Sequence, residues 1–252
     1  MQIDIKDKVI VVTGAARGIG RALALGLAAE GARMGVLARS PEKAQATVDE
    51  IRADGGEAIP LVADVSSEDD VRVAAAAVDA HWGQVDGLIN NAGWMPHGRP
   101  TKVLDLDTAD LRRVLDTNLI GCFLTTKHFA PLMIRGGGGR IIYMSSIGGV
   151  LDAARAGSGP YGASKAGVNI LNAAVHHELG NQGIRTTAIA PGLTDTPGMR
   201  DGMTEEHLAR VAGNYPGGRV GRPEDVVPFA AFLCSTAADH LSGTVLTIRP
   251  LT

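Results

Sequence analysis

Cysteine, aromatic residues and excess charge of either sign are all scarce in this chain of 252 residues. Its 2 cysteines, Cys122 and Cys234, stand far apart with no CxxC pattern. That excludes a disulfide framework and a thiolate metal cage, and favours a reducing compartment. Aromatics at 4% and a net charge of -3 leave no basic, aromatic-lined surface for nucleic acid. No apolar run is long enough to cross a bilayer. The opening Met1-Gln2-Ile3-Asp4-Ile5-Lys6-Asp7-Lys8 is too charged for a secretory leader. The expectation is a cytoplasmic protein with no membrane and no nucleic-acid partner.

Apolar residues make up 45% and glycines number 33, a composition suited to closely packed parallel strands and helices. Short β-branched runs at Val9–Val12, Met34–Ala38, Ala58–Val62, Asp86–Asn90, Arg140–Ser145, Ile184–Ala190 and Thr244–Ile248 read as strands. Between them lie helical stretches at Gly18–Glu30, Pro41–Ala53, from about Ser66–Asp69 onward, Asp107–Met133 and Tyr161–Gly180. This rhythm predicts an α/β chain, 1–252 as a single domain: a doubly wound Rossmann fold with a seven-stranded parallel sheet and helices on both faces. In such a sheet, ligands collect at the carboxyl ends of the strands. Gly136–Gly139 reads as a turn, and the Gly/Pro-rich stretch at about 191–216 as a mobile lid over the substrate.

The first strand runs directly into Thr13-Gly14-Ala15-Ala16-Arg17-Gly18-Ile19-Gly20 and then a helix. Glycines there let the backbone approach a pyrophosphate, and the helix N-terminus offers free N–H donors to the anion. An acidic residue about 20 positions further on would hold the ribose 2′-hydroxyl of NAD. This chain has none: Ala38 is followed by Arg39 and Ser40. A guanidinium at that place pairs with a 2′-phosphate, with Arg17 near enough to help, so NADP(H) is the expected cofactor.

Tyr161 and Lys165 stand 4 positions apart on a predicted helix and therefore share a face. A phenol releases its proton only near pH ~10, and an adjacent ammonium favours the phenolate. Together they form an acid–base pair able to exchange a proton with a substrate oxygen.

The ordered set Thr13-Gly-x-x-x-Gly-Ile-Gly20, Asp64-Val65, Asn90-Asn91-Ala92-Gly93, Asn118, Ser145-Ser146, Tyr161-x-x-x-Lys165 and Pro191-Gly192 resembles the short-chain dehydrogenase/reductase family over nearly the whole chain. The resemblance implies Tyr161 as proton donor and acceptor, and Lys165 as its cationic neighbour and a ligand of the nicotinamide ribose. Ser146 would be the donor to the substrate carbonyl, and Asn118 the holder of a relay water. It implies cofactor contacts at Gly14, Gly18, Ile19, Gly20, Asp64, Val65, Asn91, Ala92, Gly93, Pro191, Gly192, Thr194 and Thr196, besides Arg17, Arg39, Ser40, Tyr161 and Lys165. No metal is implied. A homotetramer is implied, with a dimer as the alternative.

Two features depart from the resemblance. The interval from Ser146 to Tyr161 is longer than in many relatives, predicting an enlarged loop at Asp152–Ser158, and the tail Ile248–Thr252 lacks the usual Asp-Gly-Gly. Trp94, Met95 and His97, with Met199 and Met203 in the lid, are weak substrate-side candidates. His176-His177-Glu178 reads as a solvated helix face, because adjacent helical residues diverge. The expected activity is NADPH-dependent reduction of a ketone to a secondary alcohol, reversibly. Rival readings are a 3-oxoacyl-[acyl-carrier-protein] reductase, with Lys127, Arg135 and Arg140 as candidate carrier contacts, a non-catalytic NADPH-binding regulator, and an S-adenosylmethionine methyltransferase.

Overall fold

A computed structural model of the chain describes residues 3–96, 101–150 and 158–249. His97, residues 152–157 of the expected enlarged loop, and the tail from Pro250 to Thr252 lie outside the described residues.

Seven strands form one sheet: β1 (Val9–Thr13), β2 (Arg33–Ala38), β3 (Ala58–Val62), β4 (Gly87–Asn90), β5 (Gly139–Met144), β6 (Ile184–Pro191) and β7 (Thr244–Ile248). Their order is β3-β2-β1-β4-β5-β6-β7, and every neighbouring pair is parallel. The order reverses direction between β1 and β4, which opens a crevice at their carboxyl ends. Side chains along β1 alternate between two cores. Ile10 and Val12 pack with helices α1 (Gly18–Ala29) and α2 (Pro41–Ala53), whereas Val9 and Val11 pack with α3 (Glu68–Trp82). Helices therefore cover both faces, as the Rossmann reading requires.

Local signals account for the helix ends. Ser40 and Ser67 accept the backbone N–H groups of Lys43 and Asp70 at the starts of α2 and α3. Gly31, at φ +88°, closes the turn after α1.

Two expectations are corrected. The helix expected at Asp107–Met133 is α4 (Thr108–Leu115) and α5 (Gly121–Arg135), joined by a π-helical turn at Asp116–Ile120. The stretch at 191–216 carries α7 (Pro197–Arg200) and α8 (Glu205–Ala212). Gly139 belongs to β5 rather than to the preceding turn. The helix α6 (Gly159–Leu179) matches its expected span closely, and α9 (Val227–Cys234), unpredicted, completes the layer over α1.

The contact between α1 and α9 depends on Gly26, where an added Cβ would lie 2.4 Å from Val227 Cγ1. Valine is stiff at χ1 and cannot swing away. Gly26→Val is therefore expected to destabilise the fold by about 2–3 kcal/mol through overpacking, read as a lower urea midpoint at fixed protein concentration.

Candidate active site

The crevice is built from the carboxyl ends of β1, β4, β5 and β6. After β1 the chain passes through Gly14 (φ +67°) and Gly18 (φ +55°), left-handed conformations that a side chain would strain. At Gly20 a Cβ would sit 2.3 Å from the Gly14 carbonyl oxygen and 2.4 Å from Asn91 Nδ2, so no other residue fits. Arg17 is the N-cap residue of α1, yet no side chain caps the first turn. The N–H groups at Gly18, Ile19 and Gly20 thus remain available to an anion. Such uncapped backbone N–H groups are a ready site for an anion.

Asn91 and Thr13 hold the cradle to β4. Asn91 Nδ2 donates to the Thr13 carbonyl at 2.9 Å, and Thr13 Oγ1 accepts the N–H groups of Asn91 and Ala92, each at 2.9 Å. The Asn91 side-chain nitrogen and its backbone N–H are both engaged in this tie. On the β2 side, the Arg39 guanidinium is 64% exposed and lies 3.8 Å from Asp64. Ser40 is engaged as the cap of α2. Burial pushes the Asp64 carboxyl up, but the Ser66 hydroxyl and N–H outweigh it, and Arg39 and Arg113 add to them, so its pKa lies below the usual value. Val65 is buried beside it. Arg17 reaches Asp201, just after α7, at 3.9 Å, with both side chains exposed.

On β5 and α6 the acid–base candidates converge. Lys165 is 3% exposed, and its Nζ donates to the Met144 carbonyl at 2.6 Å. The same Nζ lies 5.7 Å from the centroid of the Tyr161 ring. Ser146 caps a short 3-10 turn at Ile147–Gly149, its Oγ accepting the Gly148 N–H at 3.1 Å. A Cβ on Gly148 would stand 3.5 Å from Ser146 Oγ and 4.0 Å from Tyr161 Cδ1, so the serine and the tyrosine flank one point. This close approach needs Gly149 too, where a Cβ would meet the Lys165 backbone carbon at 2.7 Å. Ser145 directly follows β5, buried, with its Oγ donating to the Lys165 carbonyl at 3.3 Å.

Asn118 occupies the π turn and is fully buried. Its Oδ1 accepts the Trp94 N–H at 2.7 Å, and its Nδ2 donates to the Trp94 carbonyl at 3.0 Å and to Ser164 Oγ at 3.1 Å. A Cβ on Gly93 would lie 3.6 Å from Asn118 Oδ1 and 3.8 Å from Lys165 Nζ, which puts all three residues in one cluster. At the end of β6, the Thr194 hydroxyl donates to the Gly192 carbonyl at 3.1 Å, while the Thr196 hydroxyl accepts the Met199 N–H at 3.2 Å and caps α7. Thr196 also lies over Gly18, at 3.4 Å from a Cβ placed there.

Two contacts were not legible in the sequence. Arg113 stacks over the Trp94 ring at 4.3 Å from its centroid. Ser164, merely an unremarked member of the Tyr161–Lys165 stretch, orients Asn118. Among the described residues no group of 3 or more potential ligands could hold a metal. Both cysteines are buried, and desolvation pushes Cys122 up to about 11 and Cys234 up to about 12, so neither offers a thiolate nucleophile.

Residues 8–207 match the family model for short chain dehydrogenase. The chain belongs to the short-chain dehydrogenase/reductase family. It is an oxidoreductase of that family, acting on CH–OH and C=O groups. A 3-oxoacyl-[acyl-carrier-protein] reductase of Staphylococcus aureus is 36% identical over 243 residues, 96% of each chain. A 7α-hydroxysteroid dehydrogenase solved with NADH and 7-oxo glycochenodeoxycholic acid superposes with a TM-score of 0.91 at 33% identity, covering 98% of this chain and 94% of the other. A gluconate 5-dehydrogenase of Burkholderia cenocepacia, solved with NADP and tartrate, gives 0.90 at 31% identity, covering 98% and 95%.

Asn118 supplies a test of the cluster's rigidity. Asn118→Leu keeps the volume but leaves the Trp94 N–H and C=O unpaired, which costs about 1–3 kcal/mol for each group that stays buried. Urea unfolding followed by tryptophan emission is expected to show a net loss of about 2 kcal/mol or more.

Proposed function

We propose that this enzyme reduces a ketone to a secondary alcohol with NADPH, reversibly. The observation that carries the reading is the buried Lys165 ammonium, held by the Met144 carbonyl against the Tyr161 ring, with Ser146 alongside. When bound, a nicotinamide cofactor supplies the hydride in reduction and takes it up in oxidation.

The residues divide the remaining work. Gly14, Gly18, Ile19 and Gly20 bind the pyrophosphate through backbone. Asp64, Val65, Asn91, Ala92 and Gly93 line the adenosine half, and Pro191, Gly192, Thr194 and Thr196 line the nicotinamide half. Ser146 turns its hydroxyl toward the substrate oxygen and stabilises negative charge developing there. Tyr161 gives its proton to that oxygen in reduction and receives it in oxidation. Lys165 favours the phenolate that the proton leaves behind and binds the nicotinamide ribose, with Asn118 steadying a water that connects it to solvent. The stretch 191–216 closes over the substrate.

Support for NADPH comes from Arg39, a forked cation at the end of β2 where a carboxylate would select NADH. Ser40 follows it directly in the chain, and Arg17 lies in the glycine turn after β1. The solved relatives carry either nucleotide, NADH in one and NADP in the other. Exposed Ile120 and Phe123, at and beyond the π turn, and Ile170 on α6 support a homotetramer, or a dimer, assembled through those helices. Among the described residues no helix is long and apolar enough to cross a membrane, and the reading retains a cytoplasmic location.

Reduction of a 3-oxoacyl thioester is the second reading, favoured by the Staphylococcus aureus relative. The basic residues considered for carrier docking are each already paired: Lys127 with Glu68, Arg135 with Asp79 and Arg140 with Asp239. A panel of ketones and 3-oxoacyl thioesters, followed by nicotinamide absorbance, separates the two.

Tyr161→Phe is expected to lower turnover by at least about 100-fold, the scale of one acid–base group, while NADPH titration stays unchanged. Retained turnover would remove Tyr161 from its role. Arg39→Asp is expected to weaken NADPH by at least about tenfold relative to NADH, since a charge-assisted pair is lost. An unaltered preference in a competition assay would refute the 2′-phosphate assignment.

A further inference from the structure

Tyr215 lies beyond α8, at the far end of the lid, and no sequence motif marks it. Its phenol oxygen accepts the Leu193 N–H at 3.0 Å, a contact spanning 22 residues. The same oxygen would stand 3.2 Å from a Cβ on Gly192, and the Ile248 carbonyl oxygen 3.6 Å from it. The Pro191–Leu193 backbone is therefore pinched between the phenol and the end of β7.

The other donors of this segment are held differently. Gly192 N–H binds the Ile248 carbonyl at 2.9 Å, and Asp195 N–H binds the Gly221 carbonyl at 2.7 Å. Gly221 N–H in turn binds the Leu193 carbonyl at 2.9 Å. Those bonds join backbone to backbone and survive most substitutions. The Leu193 N–H alone in this group is answered by a side chain, so one oxygen atom decides its direction. The phenol accepts here and keeps its own O–H to donate, which no aliphatic residue could imitate.

We propose that Tyr215 is a positioning residue for the nicotinamide half of the cofactor, its hydroxyl holding the Pro191–Leu193 backbone in the shape that binds the carboxamide. The inference rests on the dinucleotide reading above and deepens it. Tyr215 acts through the backbone it orients, tying the segment that follows α8 to the end of β6. The groups assigned to the pyrophosphate (Gly14, Gly18, Ile19 and Gly20) and to the phosphorylated adenosine half (Arg39 and Asp64) make none of these contacts. The effect of removing the hydroxyl therefore falls on one end of the cofactor only.

Tyr215→Phe deletes the single oxygen. NADPH is titrated against 2′,5′-ADP, which has the phosphorylated adenosine half and no nicotinamide, and NADH against AMP in parallel. The expected result is about fivefold weaker binding of the intact dinucleotide, the scale of one lost hydrogen bond, with the nucleotide fragment unchanged. In turnover, kcat falls while the KM of the carbonyl substrate holds. Equal weakening of fragment and dinucleotide would make Tyr215 a general structural residue and overturn the proposal, as would no change in either. Tyr215→Leu must reproduce the split, and failure of both variants to fold contradicts a positioning role. If the unaltered chain binds neither dinucleotide, the cofactor reading itself falls and this inference with it, an outcome distinguished by appearing without any substitution.

Discussion

Burying an ammonium is the constraint on which the rest of the site depends. A charged amine removed from water costs several kcal/mol unless acceptors meet it. Lys165 meets the Met144 carbonyl at the very end of β5. That bond fixes the register of α6 against the sheet, and helical geometry then carries Tyr161 to one turn above the same spot. The fit requires close backbone approach, supplied by Gly149 against Lys165 and by Gly162 against the Gly148 carbonyl, where a Cβ would come within 2.7 Å. The serine that completes the set is set down by the same 3-10 turn. Strand, turn and helix thus converge because one charge has to be satisfied.

The cofactor end follows a different logic, in which space matters more than charge. Gly20 admits no Cβ, and Asn91 spends its amide tying β1 to β4. The result is a rigid floor with uncapped N–H groups at the start of α1. Charge enters at the rim, through Arg39, Asp64 and Arg113, and at the start of α1 through Arg17. Around this floor stand the stretch 191–216, with α7 and α8, and Trp94 beneath Arg113. Chains named for acyl, steroid and sugar-acid substrates are similar to this one in sequence or fold, which is why fold does not by itself name a substrate.

Much of this was legible from the sequence, for physical reasons. Strands buried on both faces leave unbroken β-branched runs, and all seven were found within a residue or two of their observed ends. The Tyr161–Lys165 spacing and the glycine turn are local, so order along the chain suffices to read them. The π turn at Asp116–Ile120 escaped because one extra residue in a helical turn hardly disturbs a hydrophobic period. Helix α9 escaped because Val227–Cys234 is apolar all round and has no face to detect. The pairing of Lys127, Arg135 and Arg140, and the bond from Leu193 to Tyr215, join residues far apart in the chain, where spacing carries no information.

The central claim is that the buried amine beside the phenol makes proton exchange with the substrate oxygen effective. Its most direct test is Lys165→Met, which keeps the stem and removes the charge. The measurement is transfer of deuterium from 4-deuterated NADPH to the carbinol carbon of a reduced ketone, read by mass spectrometry in a single turnover. The account predicts deuterated alcohol from the unaltered enzyme and almost none from Lys165→Met over the same time. Equal incorporation by both proteins would contradict it.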